Sequence, residues 1–510
     1  MKRPTLAMPA ALVAALTVTV AACSGGGDPS PPQADADGAR LPSTAPAIAP
    51  SRSDVNEQPP QQRQDGLTVI ATCDPCELEL YTDFIIGGTD IEPPELSVYT
   101  RGSFAYWWDA RFDSLSEARE LAAATEEVQS DLAALGVGNP GAQAAGYFTN
   151  VFIHRGDDDV FPSYFGNGTG YEGDDENGGP VFAYLAYPFD EDLAANRVNL
   201  FHEIFHVFQG AATYDGVPVI DADGPFERAW IVEAMAEWYQ MSRLGDAETR
   251  AFENVAAIAA TPQLPLWAFF PRDEPAPDDG LSDEAVEALF YAAGIRQYSN
   301  GAFLYYLTDV GGIDPKELLD AMYLDLTTTP QELLFDGVGP ADFRRHYTEW
   351  AVATTADFAY LDPATVALSR ETFDSFAAQA PAGSLAPHAI VLDGADPSGT
   401  FSPDAASRPG AWAYNVVRIA DPQPGSVSFT LNGDRTGDEG TSAHFDGAVL
   451  TRGGDGGWRT TDLTMLDQTT GEATVSVGDT DDEILVVVAS VPERFVGDET
   501  YGYALTVTTS

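Results

Sequence analysis

The sequence predicts an α+β fold in which strands come first, helices follow, and an all-β sandwich ends the chain. Strand-like runs occupy residues 147–154 and 181–187, and mainly helical segments extend from Glu191 to about Ala356. Beyond Pro387, turns rich in Gly, Asp and Pro separate short β-rich runs. Strand runs followed by helix runs are typical of α+β proteins, and about seven short strands at this spacing are typical of a sandwich.

The length and composition of the chain suggest two folded domains. At 510 residues the chain exceeds the usual size of one hydrophobic core. Its composition shifts near "AQAPAGSLAP" at 378–387, so we predict domains over 67–377 and 385–510. Residues 23–66 hold few large apolar side chains and are predicted to form a disordered tether.

The first predicted domain has a local basis for each element. Order is expected to begin with the strand "LTVIAT" at 67–72, and the alternating, strand-like run "ELSVYT" follows at 95–100. Residues 114–138 predict a helix that Ser116 caps. The strand at 181–187 is a candidate sheet edge for pairing with an extended substrate.

The net charge of the chain is −54, and its only lysines are Lys2 and Lys316. So acidic a surface repels polyanions, which argues against nucleic acid as a partner. Solubility is the simplest interpretation of the charge.

The N-terminus has the order of parts found in an export signal peptide. Lys2 and Arg3 precede an apolar stretch over residues 6–20, which leads to "VAAC" ending at Cys23. This arrangement resembles the lipobox of bacterial lipoproteins. The resemblance implies a signal peptide over 1–22, a lipid on Cys23, and membrane attachment through that lipid alone. Ser24 in place of Asp favours the outer membrane or cell surface. An ordinary signal peptide with a chance cysteine is the alternative.

The remaining cysteines, Cys73 and Cys76, form the short motif "CDPC". In an oxidising compartment a disulfide is the expected state. A thioredoxin-like redox pair is the alternative, but it requires a helix start, whereas "CELELYTDF" after the motif is strand-like.

Two of the six histidines stand four residues apart in "NLFHEIFHVFQ", residues 199–209. On a helix, His202 and His206 share one face and can bind one zinc ion, and Glu203 can act as general base toward a water that zinc activates. Catalysis of this kind needs both parts, because the water must lose a proton and a carboxylate must accept it. A buried helix with two satisfied histidines is the alternative.

A catalytic zinc needs a third protein ligand. The pattern HExxHxxGxxH fails because Gln209 and Ala212 occupy its last two positions. The segment "WIVEAMAEWYQ" at 230–240 instead resembles the third-ligand segment of gluzincin metallopeptidases. This resemblance implies that Glu233 is the third zinc ligand and that Glu237 orients a ligating imidazole.

Together the two motifs are similar to those of bacterial secreted or surface metalloproteases that are known mainly from sequence. The similarity covers residues 181–356, and only the two motifs in it are specific. It implies a zincin-like catalytic domain over 67–377, one catalytic zinc, and a protein or peptide substrate. The gap between the motifs is long for a gluzincin, and residues 212–226 are interpreted as an extra loop.

Peptide hydrolysis also needs a hydrogen-bond donor for the oxyanion of the tetrahedral intermediate. Gluzincins often supply a Tyr or His from a later helix. That comparison suggests Tyr298, which precedes the apolar helix "NGAFLYYL", and His346 is the second candidate.

Other interpretations stay open on sequence alone. The chain could be a non-catalytic surface module with a vestigial zinc site, or a zinc hydrolase that cleaves a cell-wall amide. The acidic loops at 156–159, 173–179 and 221–224 are candidates for Ca²⁺, although none has the full spacing of an EF-hand and solvated loops are the preferred interpretation. The oligomeric state and the role of the C-terminal β-region also stay open.

Overall fold

The fold is known from a computed structural model, which shows helices together with mixed and antiparallel sheets. The predicted α+β class is therefore confirmed. The described residues are 61–64, 67–71, 77–80, 85–86, 89–90, 96–137, 146–153, 168–174, 179–186, 201–202, 204–206, 208, 230–244, 255–268, 296–320, 328–367, 370, 389–392, 397–495 and 497–510.

The chain divides into two compact units. One consists of Met1–Ala123 and Ala145–Asp190, and the other of Ala124–Ala144 and Glu191–Ser510. The predicted signal peptide and the three cysteines, Cys23, Cys73 and Cys76, lie outside the described residues.

The first unit is built around a sheet of seven strands, in the order β1-β2-β5-β6-β7-β9-β8, with β3 and β4 paired separately. The described strands are β1 (Gln61–Gln64), β2 (Leu67–Ala71), β3 (Ile85–Ile86), β4 (Thr89–Asp90), β5 (Leu96–Arg101), β6 (Phe104–Asp109), β7 (Thr149–Ile153), β8 (Gly168–Asp174) and β9 (Gly179–Ala186). Strand β1 pairs with β2, so order begins before residue 67 and the predicted tether ends earlier than expected.

The centre of this sheet is covered on both faces. Strands β5 and β6 form a hairpin in which Gly102, with φ of 58°, occupies the first turn position, where a positive φ is required. Every residue of β6 and β7 is buried, and so are residues 96–100 of β5. The alternating run is thus buried on both faces at 96–100, because β5 lies between β2 and β6 inside a sheet covered on both sides.

Strand β9 is not a sheet edge. It pairs with β7 in parallel and with β8 in antiparallel register, so both of its hydrogen-bonding sides are occupied. The prediction that this strand offers a free edge to a substrate was wrong. The physical reason is that the glycine-rich segment before it folds back as β8 and takes the open side.

The described helices are α1 (Leu115–Ala134), α2 (residues 201, 202, 204–206 and 208), α3 (Trp230–Leu244), α4 (Gly301–Tyr305), α5 (Pro315–Asp320), α6 (Pro330–Val338) and α7 (Pro340–Thr355). Residues 296–299 are also helical, and Tyr306–Val310 is a π-helix. Helix α1 begins one residue before Ser116, so Ser116 is not its cap. Its hydroxyl group instead donates a 2.8 Å hydrogen bond to Glu117.

The C-terminal part of the second unit contains two five-stranded sheets. Their orders are β10-β12-β18-β14-β15 and β11-β19-β13-β17-β16. The strands are β10 (Ala389–Leu392), β11 (Gly399–Phe401), β12 (Ala413–Ala420), β13 (Gly425–Gly433), β14 (Phe445–Arg452), β15 (Trp458–Asp462), β16 (Thr464–Met465), β17 (Thr470–Val477), β18 (Glu483–Ser490) and β19 (Tyr503–Thr509). The two sheets meet at β14 and β17. Ten strands are described where about seven were predicted, because β10, β11 and β16 have only two to four residues each.

The helices of the second unit share a buried aromatic cluster with residues that flank strands β12 and β18. The ring of Trp412 lies 4.7 Å from that of Phe343 and 5.4 Å from that of Tyr347, and the ring of Phe335 lies 4.8 Å from that of Phe495. Such contacts combine large apolar burial with favourable ring geometry. Helices and sheets thus belong to one compact unit, and the domain boundary near 378–387 stays a prediction.

Among the described residues, no helix combines the length and the apolar character needed to cross a membrane.

Candidate metal centre

Helix α2 presents two histidines on one side and packs with the other. Its buried apolar residues follow the helical spacing i, i+3, i+4, i+7, and they are Phe201, Ile204, Phe205 and Phe208. The ring of Phe205 stacks on that of Tyr239 in α3 at 5.0 Å. This packing holds α2 against α3 and leaves His202 and His206 together, with ring centroids 4.7 Å apart.

Helix α3 brings Glu233 to these histidines. Glu233 lies in the first turn of α3, where the helix dipole favours a negative charge. Its Oε2 atom is 3.2 Å from Nε2 of His202 and 3.4 Å from Nε2 of His206. The two Nε2 atoms are 3.0 Å apart. Three potential ligand atoms from two helices therefore converge on one point.

These distances fit a tetrahedral zinc site. Two ligand atoms bound to zinc at 2.0–2.1 Å with a tetrahedral angle lie about 3.3 Å apart. The three separations of 3.0, 3.2 and 3.4 Å match this tetrahedral edge. Among the described residues, no other group of three His, Cys, Asp or Glu side chains is arranged to hold a metal ion. The two imidazoles and one carboxylate are the kind of donor set that catalytic zinc uses.

The Glu233 side chain has the ionisation state that a metal ligand needs. Burial by itself raises the pKa of its carboxyl group, but the charge of His206 and hydrogen bonds to His202 and His206 oppose this and hold the pKa well below its usual range. The carboxylate is therefore ionised at neutral pH and can bind a cation without first losing a proton.

Glu237 lies one turn further along α3, on the far side of the His202 ring. Its Oε1 is 3.8 Å from Nδ1 of His202, and its Oε2 accepts a 2.6 Å hydrogen bond from Gln240. The Nε2 atom of His202 faces Glu233 while Nδ1 faces Glu237, as required if Nε2 binds a metal and the carboxylate holds the ring. The sequence analysis missed Gln240, although its i+3 spacing from Glu237 was visible.

The structure places Tyr298 beside the histidines. Its ring stacks on that of His202 at a centroid distance of 6.1 Å, and the side chain is half-buried. The helical run 296–310 that begins here packs against α3.

His346 lies elsewhere. Its imidazole packs against Gly311, and its Nε2 is 3.0 Å from a guanidinium nitrogen of Arg345. Gly311 follows Tyr298 by thirteen residues along a nearly continuous helix, a span of about 20 Å at 1.5 Å per residue. The geometry therefore favours Tyr298 over His346 as a group near the metal centre.

Gly301 allows the helix that follows Tyr298 to approach α3 closely. A Cβ atom at this position would overlap the Cβ of Glu237 and lie 3.0 Å from the carbonyl oxygen of Ala234. Both neighbours belong to a buried helix and have little room to move. The sequence analysis missed this glycine, whose role depends on a contact between residues far apart in sequence.

We expect Gly301→Ala to separate the two helices and weaken the metal centre. Overpacking of this kind costs about 1–3 kcal/mol of unfolding free energy, and the displaced Glu237 is expected to lower zinc affinity. Thermal unfolding and zinc competition measure both effects. Gly337→Ala is the matched control, because a Cβ at that helical glycine meets only the carboxylate end of Glu317, which can rotate away. Equal zinc affinity in both variants would contradict the role of Gly301.

Some predicted residues lie outside the described part of the chain. Glu203 is one of them, and so are the candidate calcium loops at 156–159 and 221–224. Of the loop at 173–179, only the ends are described, where they belong to β8 and β9.

Comparisons with known proteins do not assign the chain to a family. No protein-family model matches the chain, and no curated protein matches it.

Solved structures give only distant likenesses. The pre-peptidase C-terminal domain of collagenase from Bacillus anthracis is 10% identical, with 24% of this chain and 94% of that chain covered and a TM-score of 0.15. CorA, a surface-associated copper-binding protein of Methylomicrobium album BG8, is 9% identical, with coverage of 24% and 98% and a TM-score of 0.17. The GH115 4-O-methyl-alpha-glucuronidase BtGH115A is 10% identical, with coverage of 72% and 52% and a TM-score of 0.15. Likenesses of this size carry no argument about fold or function.

Proposed function

We propose that this protein is a zinc-dependent metallopeptidase with a zincin-like catalytic region. The proposal rests on one observation above all, the convergence of His202, His206 and Glu233 at the spacing of tetrahedral zinc ligands. The sequence adds Glu203 next to the first histidine, and a purely structural site has no need of such a base.

In this proposal, each residue of the site has a separate role in peptide hydrolysis. Zinc, when bound, supplies a Lewis acid that lowers the pKa of a water molecule toward neutrality. Glu203 takes the proton as the water oxygen adds to the peptide carbonyl carbon, and it passes that proton to the amine as the C–N bond breaks. The Tyr298 hydroxyl donates a hydrogen bond to the oxyanion. Glu237 keeps the His202 ring oriented.

Metal dependence is the direct test of this function. We expect the purified full-length chain to bind one zinc ion and to hydrolyse an unfolded protein such as casein. A chelator should abolish hydrolysis and added zinc should restore it, because the two histidines and Glu233 cannot polarise water alone. A folded, zinc-loaded chain that cuts no protein or peptide would favour a binding module or a hydrolase of cell-wall amides.

We also propose that the protein is exported and held at the membrane surface by a lipid on Cys23. The substitution Cys23→Ser is expected to abolish acylation and to move the protein into soluble fractions, because the site of the proposed lipid anchor is removed. Membrane fractionation and mass spectrometry of the N-terminus measure both. Membrane attachment that persists in the variant, without acylation in the wild type, would contradict the proposal.

A further inference from the structure

The backbone of one loop in the C-terminal β-region accepts three hydrogen bonds from side chains in the preceding part of the same unit. This loop, described at residues 491–495 and 497, is the first part of the connection from β18 to β19, and we call it the sandwich loop. Its backbone carbonyl groups at Val491, Phe495 and Gly497 are the acceptors. The donors are the side chains of Arg344, Gln331 and Trp267, in that order.

The bond from Gln331 leads to the metal centre. The same amide accepts a 3.0 Å hydrogen bond from Nε1 of Trp230, the first residue of α3. Trp230 precedes Glu233 by three residues, one helical turn. Both Trp230 and Gln331 are fully buried, so neither can exchange its partner for water. Gln331 therefore bridges the sandwich loop and the turn that carries Glu233.

The position of Gln331 is itself well determined. It is the second residue of α6, whose start is held by a capping box between Thr329 and Glu332. The Thr329 amide donates to the Glu332 carboxylate at 2.8 Å, and Pro330 occupies the first helical position.

The bond from Trp267 leads to Tyr298. Nε1 of Trp267 donates to the Gly497 carbonyl at 2.8 Å. The neighbouring carbonyl of Leu266 accepts a 2.5 Å hydrogen bond from Asn300, which is fully buried and stands two residues after Tyr298. A second path thus connects the sandwich loop to the helical turn that carries Tyr298.

The bond from Arg344 leads to no site residue. Its guanidinium donates to the Val491 carbonyl at 3.3 Å and forms a 3.0 Å ion pair with Glu493. Arg344 lies on α7, which bears none of the proposed ligands or catalytic groups. This contact attaches the loop to the same unit without touching the site.

We infer that the sandwich loop positions the metal centre, with Gln331 and Trp267 as positioning residues. Through Gln331 the loop holds the first turn of α3 and the Glu233 carboxylate. Through Trp267 it holds the helical turn of Tyr298. The C-terminal β-region is on this account part of the catalytic unit. The Trp267 path rests on the proposed function, whereas the Gln331 path requires only that the centre binds metal.

Three variants of the full-length chain separate positioning from simple stabilisation. Gln331→Met removes both amide hydrogen bonds and is expected to weaken zinc affinity about tenfold, the lower end of what losing support for a metal ligand costs. Trp267→Phe should lower kcat on casein several-fold with zinc affinity unchanged. Arg344→Met is the matched control, which should lower the thermal midpoint and leave zinc affinity and kcat unchanged.

The pattern across the three variants decides the outcome. If all three lose zinc affinity in proportion to their loss of stability, the loop is only a structural support and the inference is overturned. If Gln331→Met does not fold, Trp230→Phe cuts the same path from its other end and should reproduce the loss of zinc affinity. The zinc measurements need no substrate, so a zinc-binding chain without peptidase activity still tests the Gln331 path. A wild-type chain that binds no zinc would contradict both proposals.

Discussion

Replacing Glu203 by Gln is expected to lower the rate of peptide hydrolysis by about 10²–10⁴-fold and to leave zinc binding intact. Glu203 is the proposed proton acceptor but not a proposed ligand. Gln keeps the size and hydrogen-bonding capacity of Glu but cannot accept the proton. Steady-state kinetics on casein and the zinc content of the variant measure the two effects. Both are best measured at moderate and at high salt, because a net charge of −54 makes self-repulsion depend on ionic strength.

Tyr298→Phe is the companion to this experiment. It retains the ring beside His202 and removes only the hydroxyl group, so kcat should fall by about a hundredfold with zinc affinity unchanged. Hydrolysis that survives Glu203→Gln would refute the general-base mechanism. It would favour the alternative interpretation of the 199–209 segment, a buried helix with two satisfied histidines. A Tyr298→Phe enzyme with full activity would remove only the oxyanion role.

The second large effect is expected for Glu233→Ala, which should nearly abolish stoichiometric zinc binding. This change deletes one of the three proposed protein ligands and leaves only the two imidazoles. Its effect should exceed the about 10–100-fold loss in affinity that follows removal of a group supporting a ligand. Competition with a chromogenic chelator and elemental analysis measure the affinity and the stoichiometry.

Two further variants, Glu237→Gln and Asp320→Ala, provide an intermediate effect and a control for comparison with Glu233→Ala. The first perturbs the carboxylate behind the His202 ring and should weaken zinc binding by about tenfold. The second removes an exposed carboxylate that pairs with Lys316 at the surface, and it should change nothing measurable. If Glu233→Ala binds zinc with wild-type affinity, Glu233 is not a ligand and the assignment of the third ligand is wrong.

The expected results for Gln331 and Glu237 have a common physical basis. A carboxylate or imidazole binds a metal well only when its direction is fixed, because an ordered ligand loses less conformational entropy on binding. Glu237 acts on one ring, and Gln331 acts on the start of a helix. The helix that follows Tyr298 contacts α3 at Gly301. The two paths from the sandwich loop therefore end on two helices that pack against each other.

The sequence by itself determined the features that depend on near neighbours. The spacing of His202 and His206 placed both imidazoles on one helical face, and the phenylalanines around them indicated a buried helix. The order of strand and helix patterns was enough for the α+β class. These features follow from the helical period of 3.6 and from the composition of short segments, which one sequence displays directly.

Only the tertiary structure decided which distant groups meet. It placed Glu233, which the resemblance to gluzincins had already suggested, beside the histidines, favoured Tyr298 over His346, and showed that β9 has a neighbour on both sides. It also joined Trp230 to Gln331 across 101 residues and Trp267 to Gly497 across 230. Such contacts depend on how whole elements pack, and no local period or motif encodes a partner at that separation. The geometry of the candidate site is therefore a property of the folded chain, whereas its candidate residues could be recognised from two short sequence motifs.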